Sequence, residues 1–356
     1  MNYPFDSITI NSIAVSLSSI KNNGITGKDT FQQGVFTFLS DWLNNKEVFI
    51  QNTSGSTGKP KQIQISRQQF IKSAEATLNY LQVKAGDTAL LCLDAQYIAG
   101  KMMLVRALVG QLKIICFTPD ADPLKKLKAE QEIALCAMVP YQAHSLLNEE
   151  HAQKLKGIKN ILIGGAALSK ELELELLKLH VNAYETFGMT ETISHIALRK
   201  IGEPYFNVLP GFKISADEKS CLTVKADHLG EEAINSNDII ELINYNQFKW
   251  LGRWDNVINS GGVKIIPELE EPFIAEVFKR FEIKARFYLS KRSNEKLGNE
   301  VVLVIESEPM DMLLEQSLLT QIKKELKPYH APVAIIYLDH FQETPTGKII
   351  RLQSLD

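Results

Sequence analysis

Hydrophobic positions along the chain follow two periods. Phe31, Val35, Phe38, Leu39, Trp42 and Leu43 recur at helical spacing, and Asp29 or Thr30 stands where an N-cap belongs. Val48-Phe49-Ile50 is an unbroken apolar run and reads as a buried strand; Ile63-Gln64-Ile65 alternates and reads as a second. Ser66 and Gln69 make a capping-box pattern ahead of a helix carrying Phe70, Ala74, Leu78 and Leu81. Strand-like runs at 88–93, 113–117, 133–139 and 161–164 then alternate with helical runs at 98–109, 141–147 and 169–180. That alternation predicts an α/β fold with a mainly parallel sheet covered by helices. In such sheets ligands gather at the carboxyl ends of strands. The first 28 residues carry weak strand signals and a turn at Asn22-Asn23-Gly24.

The texture changes after about residue 200, where short runs with close turns predict a small β-rich subdomain. A second change comes near Arg253. Beyond it a helix at 267–281, strands at 285–289 and 301–305, a helix at 313–326 and a strand at 333–338 predict a small α+β unit. At 356 residues the chain exceeds the size at which single cores split. The expected division is therefore a large N-terminal domain at 1–253 and a C-terminal domain at 254–356, with the hinge at Arg253 to Asp255.

Composition narrows the partners. Apolar residues make up 45% and charged residues 23%, ordinary for a globular protein. A net charge of −3 gives no bulk attraction to nucleic acid or membrane. No run approaches the roughly 20 apolar residues that span a bilayer, and no signal peptide is visible at the N-terminus. Cys92, Cys116, Cys136 and Cys221 show no CxxC spacing, so neither a zinc site nor a disulfide framework is indicated. A cytoplasmic protein is expected.

The densest candidate chemistry lies between the two early strands. Thr53, Ser54, Gly55, Ser56, Thr57, Gly58, Lys59 and Lys61 concentrate hydroxyls, glycines and lysines in one loop. Glycines let backbone N–H groups turn inward, and hydroxyls and ammonium groups add donors, a combination suited to polyphosphate. A Walker-type loop is excluded: it needs glycine where Thr53 stands, and Ser or Thr where Pro60 stands. The plain alternative is a polar hairpin tip. Four further stretches matter. Gly164-Gly165-Ala166 at a strand end would let a flat ring approach the backbone, or is simply a turn. In the segment 184–191, Phe187 could stack on a base, Thr190 donate to a phosphate and Glu191 hold Mg²⁺. The segment 252–264 reads as a hairpin with a Gly261-Gly262 turn. Thr344-Pro345-Thr346-Gly347-Lys348 presents a lysine near the C-terminus.

In this order the motifs resemble the adenylate-forming superfamily of acyl-CoA ligases, over residues 48–351. Within it, the stretch 187–198 (FGMTETISHIAL) is most similar to the branch acting on o-succinylbenzoate in menaquinone biosynthesis. The resemblance implies ATP, Mg²⁺ and coenzyme A as small-molecule participants, with adenylation of a carboxylic acid followed by transfer to the thiol. It assigns Thr53–Lys61 to the ATP phosphates and Gly164, Gly165, Ala166, Thr186 and Phe187 to adenine. It likewise implies that Thr190 contacts phosphate and Glu191 binds Mg²⁺, that Asp238 and Arg253 hold the ribose with Asp255 as the hinge, and that Gly261, Gly262 and Lys264 line the second-step face while Lys348 serves adenylation. Because Lys348 would block the thiol, the C-terminal domain must rotate between steps.

Three departures stand out. Gln62 replaces the glycine that usually follows the loop, Tyr97 stands where relatives place a histidine, and only 52 residues precede the loop. The usual first subdomain is therefore expected to be missing or reduced, with a homodimer left open. The second carboxylate of o-succinylbenzoate needs a cationic or donor partner, for which Arg106, Ser194 and His195 are candidates. Arg106 reads equally as a surface helix charge and His195 as a packed neutral histidine. The alternatives are a ligase for another aryl or fatty acid, or a nucleotide-binding module with weak adenylation.

Overall fold

The computed structural model describes residues 3, 5–52, 62–343 and 349–351. The early helix forms at Thr30–Leu43, and Asp29 caps it by accepting from the Gln32 N–H at 2.7 Å. At Arg67–Leu81 the capping box closes as the spacing predicts: Gln69 donates its N–H to Ser66 Oγ, and its side chain accepts from the Ser66 N–H.

Thr88–Leu91, Lys113–Cys116, Leu135–Met138 and Ile161–Ile163 are short, apolar strands that pair in parallel. Both of their faces are covered, which explains apolar runs without alternation. Ala89 and Leu91 face one core with the helices Thr30–Leu43, Arg67–Leu81 and Ile98–Val109; Leu90 faces a second core with Leu124, Leu146 and Leu172. Ser7–Ile10 and Ala183–Gly188 extend the parallel set at its two sides.

The β-rich stretch after residue 200 does not build its own sheet. Ala183–Gly188 pairs antiparallel with His195–Lys200, and from there Phe206–Val208, Gln247–Arg253, Ile234–Asn244, Cys221–Lys225 and Lys213–Ala216 continue the same sheet of 13 described strands. The change from parallel to antiparallel pairing therefore falls at Ala183–Gly188.

Val48–Asn52 departs from its buried-strand reading. It pairs only with Gln62–Ser66 among the described residues, as a two-stranded sheet. Phe49 packs into an aromatic cluster with Phe38, Trp42 and Phe70, whereas Ile50 is 59% exposed. An apolar run here means one buried face and one bare one.

Beyond Arg253, Ile258–Ser260 and Val263–Ile265 form a hairpin whose turn, Gly261 and Gly262, has φ of 59° and 87°. Two consecutive positive φ values are the requirement of the turn type that favours Gly-Gly. Phe287–Asn294, Gly298–Glu306 and Ala334–Leu338 make a three-stranded sheet covered by Pro267–Arg280 and Met312–Glu325, around a core of Ile274, Phe278, Leu303 and Leu318.

Candidate functional site

Parallel strands end at one edge of a sheet, so the loops following Thr88–Leu91, Leu135–Met138, Ile161–Ile163 and Ala183–Gly188 collect there. Gly164, Gly165 and Ala166, and Thr190, Glu191 and Ser194, lie in two of those loops, and Tyr97 closes a third. Gly164 follows Ile161–Ile163, and a Cβ built on it would come within 2.0 Å of Thr186 Oγ1 on the neighbouring strand. Only glycine lets the chain pass Thr186 at that point. Gly165 follows with φ of 90°. Phe187 is half-buried, edge-on to Phe206 and Phe248, with ring centroids 5.5 and 5.1 Å away. Those two rings fix its orientation. The backbone of residues 164–166, Thr186 and Phe187 is thus brought together.

Thr190 and Glu191 lie in the connection from Ala183–Gly188 to His195–Lys200. Thr192, fully buried, organises this connection: its Oγ1 accepts from the Met189 N–H at 3.1 Å and donates to the Ser194 carbonyl at 2.8 Å. Ile193, also buried, has φ of 69°, a conformation that a β-branched residue rarely adopts and that costs about 1–3 kcal/mol. Glu191 stays exposed and has no ion pair among the described residues. An exposed carboxylate with no ion pair among the described residues is chemically suited to a hard cation such as Mg²⁺.

Ser194 and His195 meet Arg106 below this loop. Arg106, on the helix Ile98–Val109, is 2% exposed, so it is not a surface charge. Its Nη2 donates to Ser194 Oγ at 2.8 Å and lies 3.5 Å from His195 Nδ1; its Nη1 contacts Met103 Sδ at 3.8 Å. Its Nε finds no partner, and no carboxylate among the described residues pairs with it. Burial pulls its pKa down to about 9. His195 is held well below the usual histidine range, first by burial and then by Arg106, and so is neutral. Tyr97 sits at the start of the same helix, 53% exposed, nine residues from Arg106. At the helical rise of 1.5 Å per residue the two are about 13 Å apart along the axis.

Asp238 and Arg253 face each other across the antiparallel pair Ile234–Asn244 and Gln247–Arg253, with Arg253 Nη1 at 3.8 Å from Asp238 Oδ1. The Trp250 indole donates to the same oxygen at 3.0 Å. Asp255 is held by Arg253 Nη2 at 2.9 Å and by the Asn237 amide at 3.0 Å. Lys264 places its ammonium 5.1 Å from the Trp254 ring, and the Gly261 N–H donates to the Leu297 carbonyl. The C-terminal unit begins against Gly252, where a Cβ would collide with Ile266 and Glu268. Half-buried Glu268, its pKa raised by desolvation, accepts from the Asn256 amide and lies 4.0 Å from Arg351, whose guanidinium forks onto Glu271 at 2.5 and 2.8 Å.

The loop from Thr53 to Lys61, and Lys348 with the four residues before it, lie outside the described residues. Their flanks are described. Val48–Asn52 and Gln62–Ser66 are antiparallel partners, with Asn52 opposite Gln62, so a nine-residue connection joins a hairpin. Ordinary hairpin loops use about two to five residues. Lys101 Nζ bonds Gln51 Oε1 at 2.7 Å, which ties the Tyr97 segment to the start of that connection. Around Lys348, Glu343 bridges to Ile349 and the Ile350 N–H donates to the Gln342 carbonyl.

Sequence reasoning passed over Thr77, whose Oγ1 lies 2.9 Å from His195 Nε2. It sits between Ala76 and Leu78 in a helical apolar stripe, and the only signal was a hydroxyl where the stripe wants carbon. It also missed Trp250 and Asn237, which point at Asp238 and Asp255 through strand alternation.

A family model described as AMP-binding enzyme matches residues 19–217. The chain belongs to the AMP-binding enzyme family. The 2-succinylbenzoate–CoA ligase of Haemophilus influenzae is 26% identical over 322 residues, covering 84% of this chain and 68% of the relative. The enzyme of the same name from Lactococcus lactis is 25% identical over 338 residues, covering 88% and 71%. Among solved structures, the acyl-CoA synthetase (AMP-forming)/AMP-acid ligase II-like protein from Dyadobacter fermentans is 34% identical with a TM-score of 0.63, over 92% of this chain and 95% of its own. The o-succinylbenzoate coenzyme A synthetase of Bacillus subtilis, solved with ATP and magnesium, has a TM-score of 0.70 at 20% identity, over 85% and 68%. That last likeness concerns the fold. Family membership, the α/β architecture and the AMP-forming ligase class agree with the sequence reading.

Proposed function

We propose that this AMP-binding enzyme joins o-succinylbenzoate to coenzyme A at the expense of ATP, releasing AMP and pyrophosphate. The observation that carries the substrate is Arg106. A buried guanidinium without a carboxylate is costly unless a ligand supplies the anion. An acid with a second carboxylate does so; a fatty acid does not. The names of the Haemophilus and Lactococcus relatives support the same substrate.

The acid's reacting carboxylate attacks the α-phosphorus, and negative charge grows on the α-phosphate oxygens. Lys348 and the donors of Thr53, Ser54, Gly55, Ser56, Thr57, Gly58, Lys59 and Lys61 stabilise that charge, and Thr190 donates to phosphate. Glu191 would hold Mg²⁺, which would supply neutralisation of phosphate charge. Gly164, Gly165, Ala166, Thr186 and Phe187 receive the adenine, and Asp238 with Arg253 the ribose hydroxyls. The thiol of coenzyme A then attacks the acyl carbon and displaces AMP. We assign 1–253 and 254–356 as the two bodies that rearrange about Asp255 between the steps, the latter bringing Gly261, Gly262 and Lys264 to the thiol's approach. The separate core around Phe278 and Leu303 supports this division. Tyr97, at the mouth of the acyl site, walls the aromatic ring. The four buried free thiols support a cytoplasmic setting, and the net charge argues against a nucleic-acid partner.

The test is pyrophosphate release across a panel of carboxylic acids with ATP, Mg²⁺ and coenzyme A. The expected result is highest kcat/KM with o-succinylbenzoate, and a drop of at least about tenfold, 1.4 kcal/mol, for the ring without its second carboxylate. Equal or better turnover of long-chain fatty acids contradicts the proposal.

A further inference from the structure

Four polar groups form one buried line from the helix Arg67–Leu81 to Arg106. Thr77 Oγ1 lies 3.2 Å from the Ser73 carbonyl and 2.9 Å from His195 Nε2; His195 Nδ1 lies 3.5 Å from Arg106 Nη2; and Arg106 Nη2 donates to Ser194 Oγ at 2.8 Å. Ser73, Thr77, Arg106 and His195 are all buried. The direction of every bond follows from one fact: a guanidinium has no acceptor. His195 Nδ1 must therefore present a lone pair to Arg106, which places the imidazole proton on Nε2. Thr77 must accept that proton, and its own hydrogen goes to the Ser73 carbonyl. The line has a single consistent arrangement, and Thr77 is its origin.

We propose that Thr77 is a positioning residue for the acid-binding site, fixing the His195 tautomer so that His195 and Ser194 together aim the Arg106 guanidinium at the substrate's second carboxylate. This rests on the reading that Arg106 meets that carboxylate. Helix Arg67–Leu81 thereby sets selectivity for a dicarboxylic acid, although Thr77 is not among the groups assigned to touch the acid. Without an acceptor at Thr77, the Nε2–H is buried and unpaired, a penalty of the kind that drives a side chain to another arrangement. The proton then favours Nδ1, where it opposes Arg106, and Nη2 of the guanidinium loses one of its two fixed neighbours.

The experiment measures initial rates of Thr77→Val and Thr77→Ser, in the full chain, against o-succinylbenzoate, benzoate and ATP. Thr77→Val should raise KM for o-succinylbenzoate about tenfold, equivalent to 1.4 kcal/mol, with kcat, KM for ATP and KM for benzoate within about twofold of wild type; that band corresponds to 0.4 kcal/mol or less. Thr77→Ser, which keeps the hydroxyl, should restore the o-succinylbenzoate value. A uniform rise in all three KM values, or none, overturns the proposal. Should Thr77→Val fail to fold, the ¹⁵N shifts of the His195 ring in the wild-type chain carry the test: a neutral ring protonated on Nε2 is expected, and a ring protonated on Nδ1 overturns the proposal. Arg106→Met separates the two readings. If it leaves o-succinylbenzoate preferred over benzoate, the assignment of Arg106 fails. If it abolishes the preference and Thr77→Val does not, only the role of Thr77 fails.

Discussion

At the scale of single residues, Arg106 and His195 set opposing demands of stability and function. The fold keeps a guanidinium 2% exposed with its Nε unpartnered, an arrangement that does not favour the folded state on its own. Arg106→Met fills the same space with a flexible apolar chain beside Met103. Its expected outcome is a gain in unfolding free energy of about 1 kcal/mol or more in denaturant titration, together with loss of the preference for a second carboxylate. His195 gives a pH signature. Its folded pKa lies below the unfolded value of about 6.5, so the unfolded chain takes up the proton first as pH falls. The stability that neutral His195 permits is therefore present above about pH 6.5 and lost below it. His195→Asn should lose less stability than wild type between about pH 7 and 5, measured by thermal unfolding across that range.

At the scale of elements, much was legible because local chemistry and tertiary context agreed. The caps at Asp29 and Ser66, the helix Ile98–Val109 and the Gly261-Gly262 turn are where the residues require them. Val48–Asn52 was misread because a five-residue run cannot say whether one or both of its faces are covered. The strands after residue 200 read as a separate unit because their turns are close, yet pairing through His195–Lys200 merges them into the main sheet; which edge a strand joins is a non-local fact. The same limit hid Thr77, whose partner lies 118 positions away. Gly164 shows a close approach that sequence could only suggest. Gly164→Ala would drive a methyl group into Thr186 Oγ1. KM for ATP should rise about tenfold, worth 1.4 kcal/mol, with KM for coenzyme A unchanged, as read by steady-state kinetics varying each substrate.

At the scale of the molecule, the account requires one chain to present two faces in turn. The contacts around the proposed hinge are these. Asp255 is clasped by Arg253 and Asn237 on the large sheet, Asn256 bonds Glu268 of the first turn beyond it, and Arg351 is anchored on Glu271 of that same helix. Lys348 stands three positions before Arg351 in the sequence. The candidate site was legible in its parts, since each motif names its own residues, but the convergence of Arg106 with Ser194 and His195, 88 and 89 positions apart, belongs to the fold. The most direct measurement separates the half-reactions in Lys348→Ala. The account predicts that o-succinylbenzoate-dependent ATP–pyrophosphate exchange falls at least about a hundredfold, while a supplied acyl-adenylate is still converted to the coenzyme A thioester. Exchange persisting near the wild-type rate in that variant would contradict it.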